Sequence, residues 1–159
     1  MKRKKQRKVS VKAVKKVRYR VKQALVKRAD VKNHRPTVAQ CQSWFNILNK
    51  GLFENKLALP PIEIRQLKIC KAQCVMSWDA RSVKCPEGEI PADCDHPSIE
   101  YKIEMTSKYD TWKDFIETLA HEMVHLYQMT VAKDRTANHN ASFYSWRGKF
   151  KQFGLGLSL

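Results

Sequence analysis

Residues 112–131 read WKDFIETLAHEMVHLYQMTV, and this stretch decides how the rest of the chain is understood. Phe115, Ile116, Leu119, Met123, Leu126 and Tyr127 recur at three- and four-residue spacing, the signature of a helix with one buried face. Asp110 or Thr111 is placed to cap its start. Within it, His121 and His125 stand four residues apart, about 40° around the axis and about 6 Å along it, so both imidazoles can reach one ion. Glu122 lies about 100° round from His121, beside such an ion rather than on it. That arrangement suits a zinc peptidase: two helical ligands, and a carboxylate to take the proton of the attacking water and pass it to the leaving amine. The bland alternative is a solvated histidine pair, or one histidine satisfied in the core.

A catalytic zinc needs a third protein ligand and an open position. At the spacings of an HExxHxxGxxH motif the chain carries Gln128 and Val131 instead of glycine and histidine. The next histidine is His139, in a linker before the last helix, where a loop can fold back on the site. Asp134 is the fallback oxygen ligand, and a surface or helix-capping histidine is the plain reading of His139.

Upstream, Thr37 can cap a helix running to about Lys50, with Val38, Cys41, Phe45 and Leu48 on one face and Gly51 as its stop. Ile62 and Ile64 alternate with charges as a strand. Residues 73–79 and 82–85 read as two more strands turning at 79–81, and residues 86–97 as a loop. Ile99, Tyr101, Ile103 and Met105 alternate with Glu100, Lys102 and Glu104, the cleanest strand in the chain. A last helix is expected from about Asn140 to Gln152, with Phe143, Trp146 and Phe150 inward and Gly154 ending it. The order predicts an α+β domain, a small β-sheet packed on helices. Trp44, Trp78, Trp112 and Trp146 read as core rather than as a binding platform.

Charge is unevenly placed along these 159 residues, whose formal net charge is +16. Residues 1–35 hold 16 of the 31 Lys and Arg and a single acid, Asp30; residues 36–159 hold 15 cations against 14 acids. Residues 1–35 are therefore expected to be a basic tail, disordered at KRKKQRK (2–8). Beyond that it is conditionally helical, where Val14, Val17, Val21 and Leu25 form an apolar stripe on a cationic rod. The domain proper is placed at residues 36–159, its boundary falling within Asn33-His34-Arg35-Pro36-Thr37. Such a tail can bind nucleic acid through phosphates with little sequence preference. Solubility, targeting, or an acidic lipid or protein are the competing uses.

No apolar stretch is long enough for a membrane span, and no secretory signal is legible. The five cysteines, an odd count, point to a reducing, intracellular setting, cytoplasmic or DNA-associated. Cys70, Cys74, Cys85 and Cys94, with His96, are candidates for a second, structural zinc site, but their spacings lack CxxC knuckles, and buried thiols are the simpler reading.

His121-Glu122-Met123-Val124-His125-Leu126-Tyr127 followed by His139-Asn140-Ala141-Ser142-Phe143 resembles the SprT-like domain of the Spartan metalloproteases. That family follows HExxH with a later histidine, often a glycine, and an aromatic four residues on. Phe45-Asn46, Leu52-Phe53 and Leu59-Pro60-Pro61-Ile62-Glu63-Ile64 extend the likeness over about residues 37–155. The resemblance implies a zincin-like fold, with His121, His125 and His139 as ligands of Zn2+ and Glu122 as catalytic base. It also implies proteolysis of DNA-associated proteins, such as those crosslinked to DNA. The chain departs from the family at Asn140, where glycine is common, and carries no cysteine-rich zinc ribbon of the kind some members have, so the basic N-terminal arm is expected to supply any tether to DNA. The competing expectation is a non-catalytic nucleic-acid-binding protein with a structural or vestigial metal site; a zinc hydrolase acting on another amide, such as a cell-wall peptide, is a third. Tyr144 and Arg147, close after His139, are candidates to stabilise an oxyanion.

Overall fold

Thr37 starts the central helix as its side chain demands. Its Oγ1 accepts the Gln40 N–H at 3.2 Å while Gln40 Oε1 accepts the Thr37 N–H at 3.2 Å, a reciprocal cap. In the computed structural model, which describes residues 9–79, 81–82, 89, 96–134 and 136–157, this helix is α2, Val38–Leu52. It buries Cys41, Phe45, Leu48 and Leu52 completely. The expected stop at Gly51 does not occur: the helix runs through it. Gly51 serves instead as a point of close approach. A Cβ there would lie 2.7 Å from Val17 Cγ1 and 2.7 Å from Phe153 Cε1, closer than carbon atoms pack.

Val17 belongs to α1, Val11–Lys27, capped by Ser10, whose Oγ accepts the Ala13 N–H at 3.2 Å. The apolar stripe read from the sequence is its inner face: Val17 and Val21 are buried, and Val14 and Leu25 pack against the core. Lys32–His34 then forms strand β1, antiparallel to β5, Tyr109–Thr111, with Lys32 opposite Thr111 and His34 opposite Tyr109. The Arg28 guanidinium sits over the Trp112 ring at 5.0 Å, and the His34 ring lies 5.0 Å from that of Phe115. The division expected at residues 33–37 thus has core residues on both sides of it. The reason is the stripe itself: it is wide enough to dock, while the cations point to solvent, where water and salt screen their repulsion. Residues 1–8 lie outside the described residues.

Three strands form the second sheet: β2 (Ile62–Arg65), β3 (Ala72–Ser77) and β4 (Glu100–Thr106), in the order β2-β4-β3. β2 runs parallel to β4, with Ile62 opposite Ile103, and β3 antiparallel, with Cys74 opposite Ile103. Ile103 and Met105 face the helices and are fully buried. On the other face the Glu104 carboxylate is enclosed. It takes Lys102 Nζ at 2.6 Å, the Gln73 amide and Arg65 Nη1 at 2.7 Å, and these donors, Lys102 first, hold it well below the usual carboxylate range, at about 2. The expected turn after β3 is present, with Ser82 N–H bonded to Asp79 O at 2.9 Å. Residues 83–85 of the strand expected to follow, and most of the 86–97 loop, lie outside the described residues.

Thr111 caps α3, Trp112–Tyr127, by accepting the Asp114 N–H at 3.0 Å. Phe115, Ile116, Leu119 and Met123 are fully buried against α2 and the sheet. The helix does not run on to Val131 as an α-helix; Gln128–Ala132 is a π-helical turn closed by Lys133 at φ 58°. The expected last helix comes as two, α4 (Ala141–Tyr144) and α5 (Arg147–Gln152), with Gly154 at φ +76° after them. Trp146 lies at the joint, its ring 4.7 Å from Phe53 and 4.9 Å from Tyr127. The whole is a mixed α+β arrangement of small sheets and helices. Among the described residues no helix is long and apolar enough to cross a membrane.

Gly51→Ala gains roughly 1 kcal/mol of helix propensity. It must also displace the buried Phe153 ring or Val17, which costs about 1–3 kcal/mol. The expected net result is a lower urea midpoint at unchanged m-value in equilibrium denaturation; a raised midpoint would mean that the corner has slack.

Candidate metal centre

Helix α3 presents His121 and His125 one turn apart, and the loop before α4 brings His139 to them. The three Nε2 atoms converge. His121 and His125 stand 3.2 Å apart, His125 and His139 3.2 Å, and His121 and His139 3.0 Å. Phe143, four residues after His139 and fully buried, underlies all three imidazoles, its ring centroid 4.8, 4.8 and 4.6 Å from those of His121, His125 and His139. The aromatic noted in the sequence motif is thus the floor on which the three imidazole rings rest.

The group fits a metal ion by the chemistry of its donors. Zinc–imidazole bonds of about 2.0–2.1 Å set tetrahedral nitrogens roughly 3.3–3.4 Å apart, close to what is seen. Three neutral imidazoles facing one another bring lone pairs together, an arrangement that a cation at their centre relieves. Among the described residues these three histidines form the one group able to hold an ion. Asp134 is not in it. Its Oδ1 accepts the N–H of Thr136 at 3.0 Å, the Thr136 hydroxyl at 2.7 Å and the Ala137 N–H at 3.4 Å, while Oδ2 accepts from Asn140 Nδ2 at 2.9 Å. The fallback ligand is therefore a loop clamp. The clamp matters because Lys133 (φ 58°) and Ala137 (φ 40°) occupy left-handed backbone that other residues than glycine adopt at a cost. Asn140 caps α4 by accepting the Phe143 N–H at 3.1 Å.

Glu122 is buried between α3 and β3, and burial pushes its carboxyl up to about 7, partly opposed by a hydrogen bond from the Cys74 N–H. It opens with the histidines on a cleft of about 930 Å³ between α3, β3 and the 136–139 loop. Trp78 lines this cleft rather than the core, and Met76 and the buried Met129 line it too; Trp44 and Trp112 are core, edge to face at 5.0 Å. Tyr144 and Arg147, the oxyanion candidates, do not line it. The Arg147 guanidinium lies 4.1 Å over the Tyr144 ring, and the pair is occupied with itself.

Cys41 is a core thiol that desolvation pushes up to about 11, Cys74 is half-buried beside Glu122, and Cys70 is exposed. Cys85 and Cys94 lie outside the described residues, and His96 bonds locally to Ser98. The described residues hold no second ligand cluster. Two features escaped the sequence reading, the Cys74 N–H on Glu122 and the Gln128 amide, whose Oε1 lies 3.0 Å from His125 Nδ1. Neither a backbone donor nor a glutamine at a helix end carries a spacing signal.

The mixed α/β domain thus sets three converging histidines, able to bind a metal ion, beside a buried glutamate. The family follows from comparison: the SprT-like family matches residues 41–158, most of the chain, and the protein belongs to it. That family is linked to metallopeptidase-type proteins. No curated protein matches the chain.

Asp134→Ala removes four acceptor contacts that hold two left-handed residues in place. The expected result is faster amide hydrogen exchange at Thr136 and Ala137, with core amides of α2 unchanged; equal protection in the variant would show that the loop is held elsewhere.

Proposed function

We propose that the protein is a zinc-dependent endopeptidase of SprT-like type, zincin-like in its active-site architecture, that acts on proteins held on DNA. The observation that carries the reading is the convergence of three Nε2 atoms within 3.2 Å of one another, with Glu122 opening on the same cleft. His121, His125 and His139 would hold the ion. Bound zinc supplies Lewis acidity, acidifying water and polarising a peptide carbonyl. Glu122 accepts the proton of the attacking water and returns it to the leaving amine, with the Cys74 N–H keeping its carboxylate aimed. In the cleft of about 930 Å³, Met76, Met129 and Trp78 offer apolar contact to side chains flanking the scissile bond.

Nucleic acid is assigned to residues 2–35. On α1 the face opposite Val17 and Val21 exposes Lys12, Lys15, Lys16, Arg20, Lys22 and Lys27, with Tyr19 67% exposed among them. Because α1 is docked on α2, these cations are presented without the ordering cost that a flexible arm pays on binding. With roughly 6–10 phosphates contacted, affinity falls by about 10³–10⁵ between 50 and 200 mM salt. Concentrating the enzyme on the polymer makes proteins bound to it the preferred substrates.

Glu122→Gln is expected to keep zinc and lose cleavage by about 10²–10⁴-fold, the usual size of a general acid–base contribution. His139→Ala is expected to lose most of the zinc by metal analysis. Cleavage persisting in the first variant removes the base assignment, and full zinc in the second removes the ligand assignment. Replacing Lys12, Lys15, Lys16 and Arg20 by Gln is expected to lower the slope of log affinity against log salt by up to about 4. It should spare cleavage of a free unfolded protein while reducing that of a DNA-bound one. An unchanged slope would place the nucleic-acid surface elsewhere.

A further inference from the structure

Gln128 opens the π-helical turn three residues after His125, and it is fully buried. A buried amide must place its donors and its acceptor, so its partners fix its orientation. Nε2 donates to the Asn138 carbonyl at 3.0 Å and to Asn140 Oδ1 at 3.2 Å. Asn140 is fixed in turn. Its Nδ2 donates to Asp134 Oδ2 at 2.9 Å and its Oδ1 accepts the Phe143 N–H, which settles which end of that amide is oxygen. With both Gln128 N–H groups spent, Oε1 faces His125 Nδ1 at 3.0 Å. An amide oxygen only accepts, so the Gln128 contact places the proton of the neutral His125 ring on Nδ1 and the lone pair on Nε2, the atom that meets His121 and His139, with the Ala137 backbone as a further hydrogen-bond partner of the ring.

The same residue holds the loop by its main chain. The Gln128 carbonyl accepts the Lys133 N–H and, at 2.9 Å, the N–H of Asp134. One glutamine thus grips the helix-borne His125 at one end and both neighbours of the loop-borne His139 at the other, fourteen residues along the chain.

We propose that Gln128 is the positioning residue of the metal centre: it selects the Nδ1–H tautomer of His125 and, through Asn138 and Asn140, sets His139 at its distance from α3. Its consequence for zinc rests on the three-histidine reading above; the tautomer and the loop geometry do not. Partners of this kind behind a metal-binding histidine are worth about 10–100-fold in metal affinity.

The test uses the full chain, metal-free and then titrated with zinc against a chromophoric chelator. Long-range proton–nitrogen correlation spectra of the metal-free protein read which His125 nitrogen is protonated. Wild type is expected to show Nδ1–H alone. Gln128→Leu, close in volume but without polar atoms, is expected to show a mixture of tautomers and a zinc affinity about 10–100-fold weaker. Gln128→Glu keeps the acceptor and gives up the donors. It is expected to retain the Nδ1–H form, to speed amide exchange at residues 136–138, and to bind zinc between the other two. A wild-type His125 protonated at Nε2, or a Gln128→Leu protein with unchanged tautomer and zinc affinity within about twofold of wild type, overturns the proposal. If wild type itself takes up no zinc, the metal reading falls, and the tautomer spectra still decide the role of Gln128.

Discussion

Three imidazole nitrogens brought within 3.2 Å of one another are the constraint that the rest of the domain serves. Left to themselves such groups separate, because each prefers water to the lone pair of its neighbour. They stay together because two share one face of a helix that is buried along its other side, and because a single aromatic ring, Phe143, packs under all three. The third histidine comes from a loop with two left-handed residues, and that loop is tied down by a carboxylate and two amides. Packing therefore sets the position of the rings, and a hydrogen bond on the Gln128 amide side meets that of His125. The same division of labour holds for Glu122, which the helix places and the Cys74 N–H aims.

α1 shows how one element can serve both stability and charge. Its inner face is entirely aliphatic and closes the back of α2; its outer face carries most of the excess positive charge of the described chain. A helix with so many like charges is a poor candidate to fold alone. Docking supplies what local propensity lacks, and the cations are left in water, where their mutual repulsion is weak.

Much of the site was legible because its information is local. The spacing of His121 and His125 on a periodic apolar run placed them on one face of a helix, and His139 was singled out by its distance from them and its position before a helix; the structure brings these three together. The strands around Ile62 and Ile103 were equally plain, since alternation is a local pattern. What could not be read was set by approach between distant segments. Gly51 looked like a helix stop, because glycine ends helices more often than it makes room; the room it makes is for Val17 and Phe153, distant in sequence in both directions. β1 and β5 are three residues each, too short to alternate visibly, and exist because they pair. Charge makes residues 1–35 read as a tail, whereas the burial of Val17 and Val21 follows the apolar stripe on the opposite face of α1. Trp78 has the composition of a core residue and the location of a cleft wall, a distinction that only the fold of β3 makes.

The corner at Gly51 also bears on how the molecule is made. Val17 is among the first described residues to leave the ribosome and Phe153 among the last, yet they meet across the same helical glycine. Until synthesis has passed residue 153, the aliphatic stripe of α1 lacks part of its cover, and the nascent chain presents a sticky, positively charged amphipathic segment throughout its elongation.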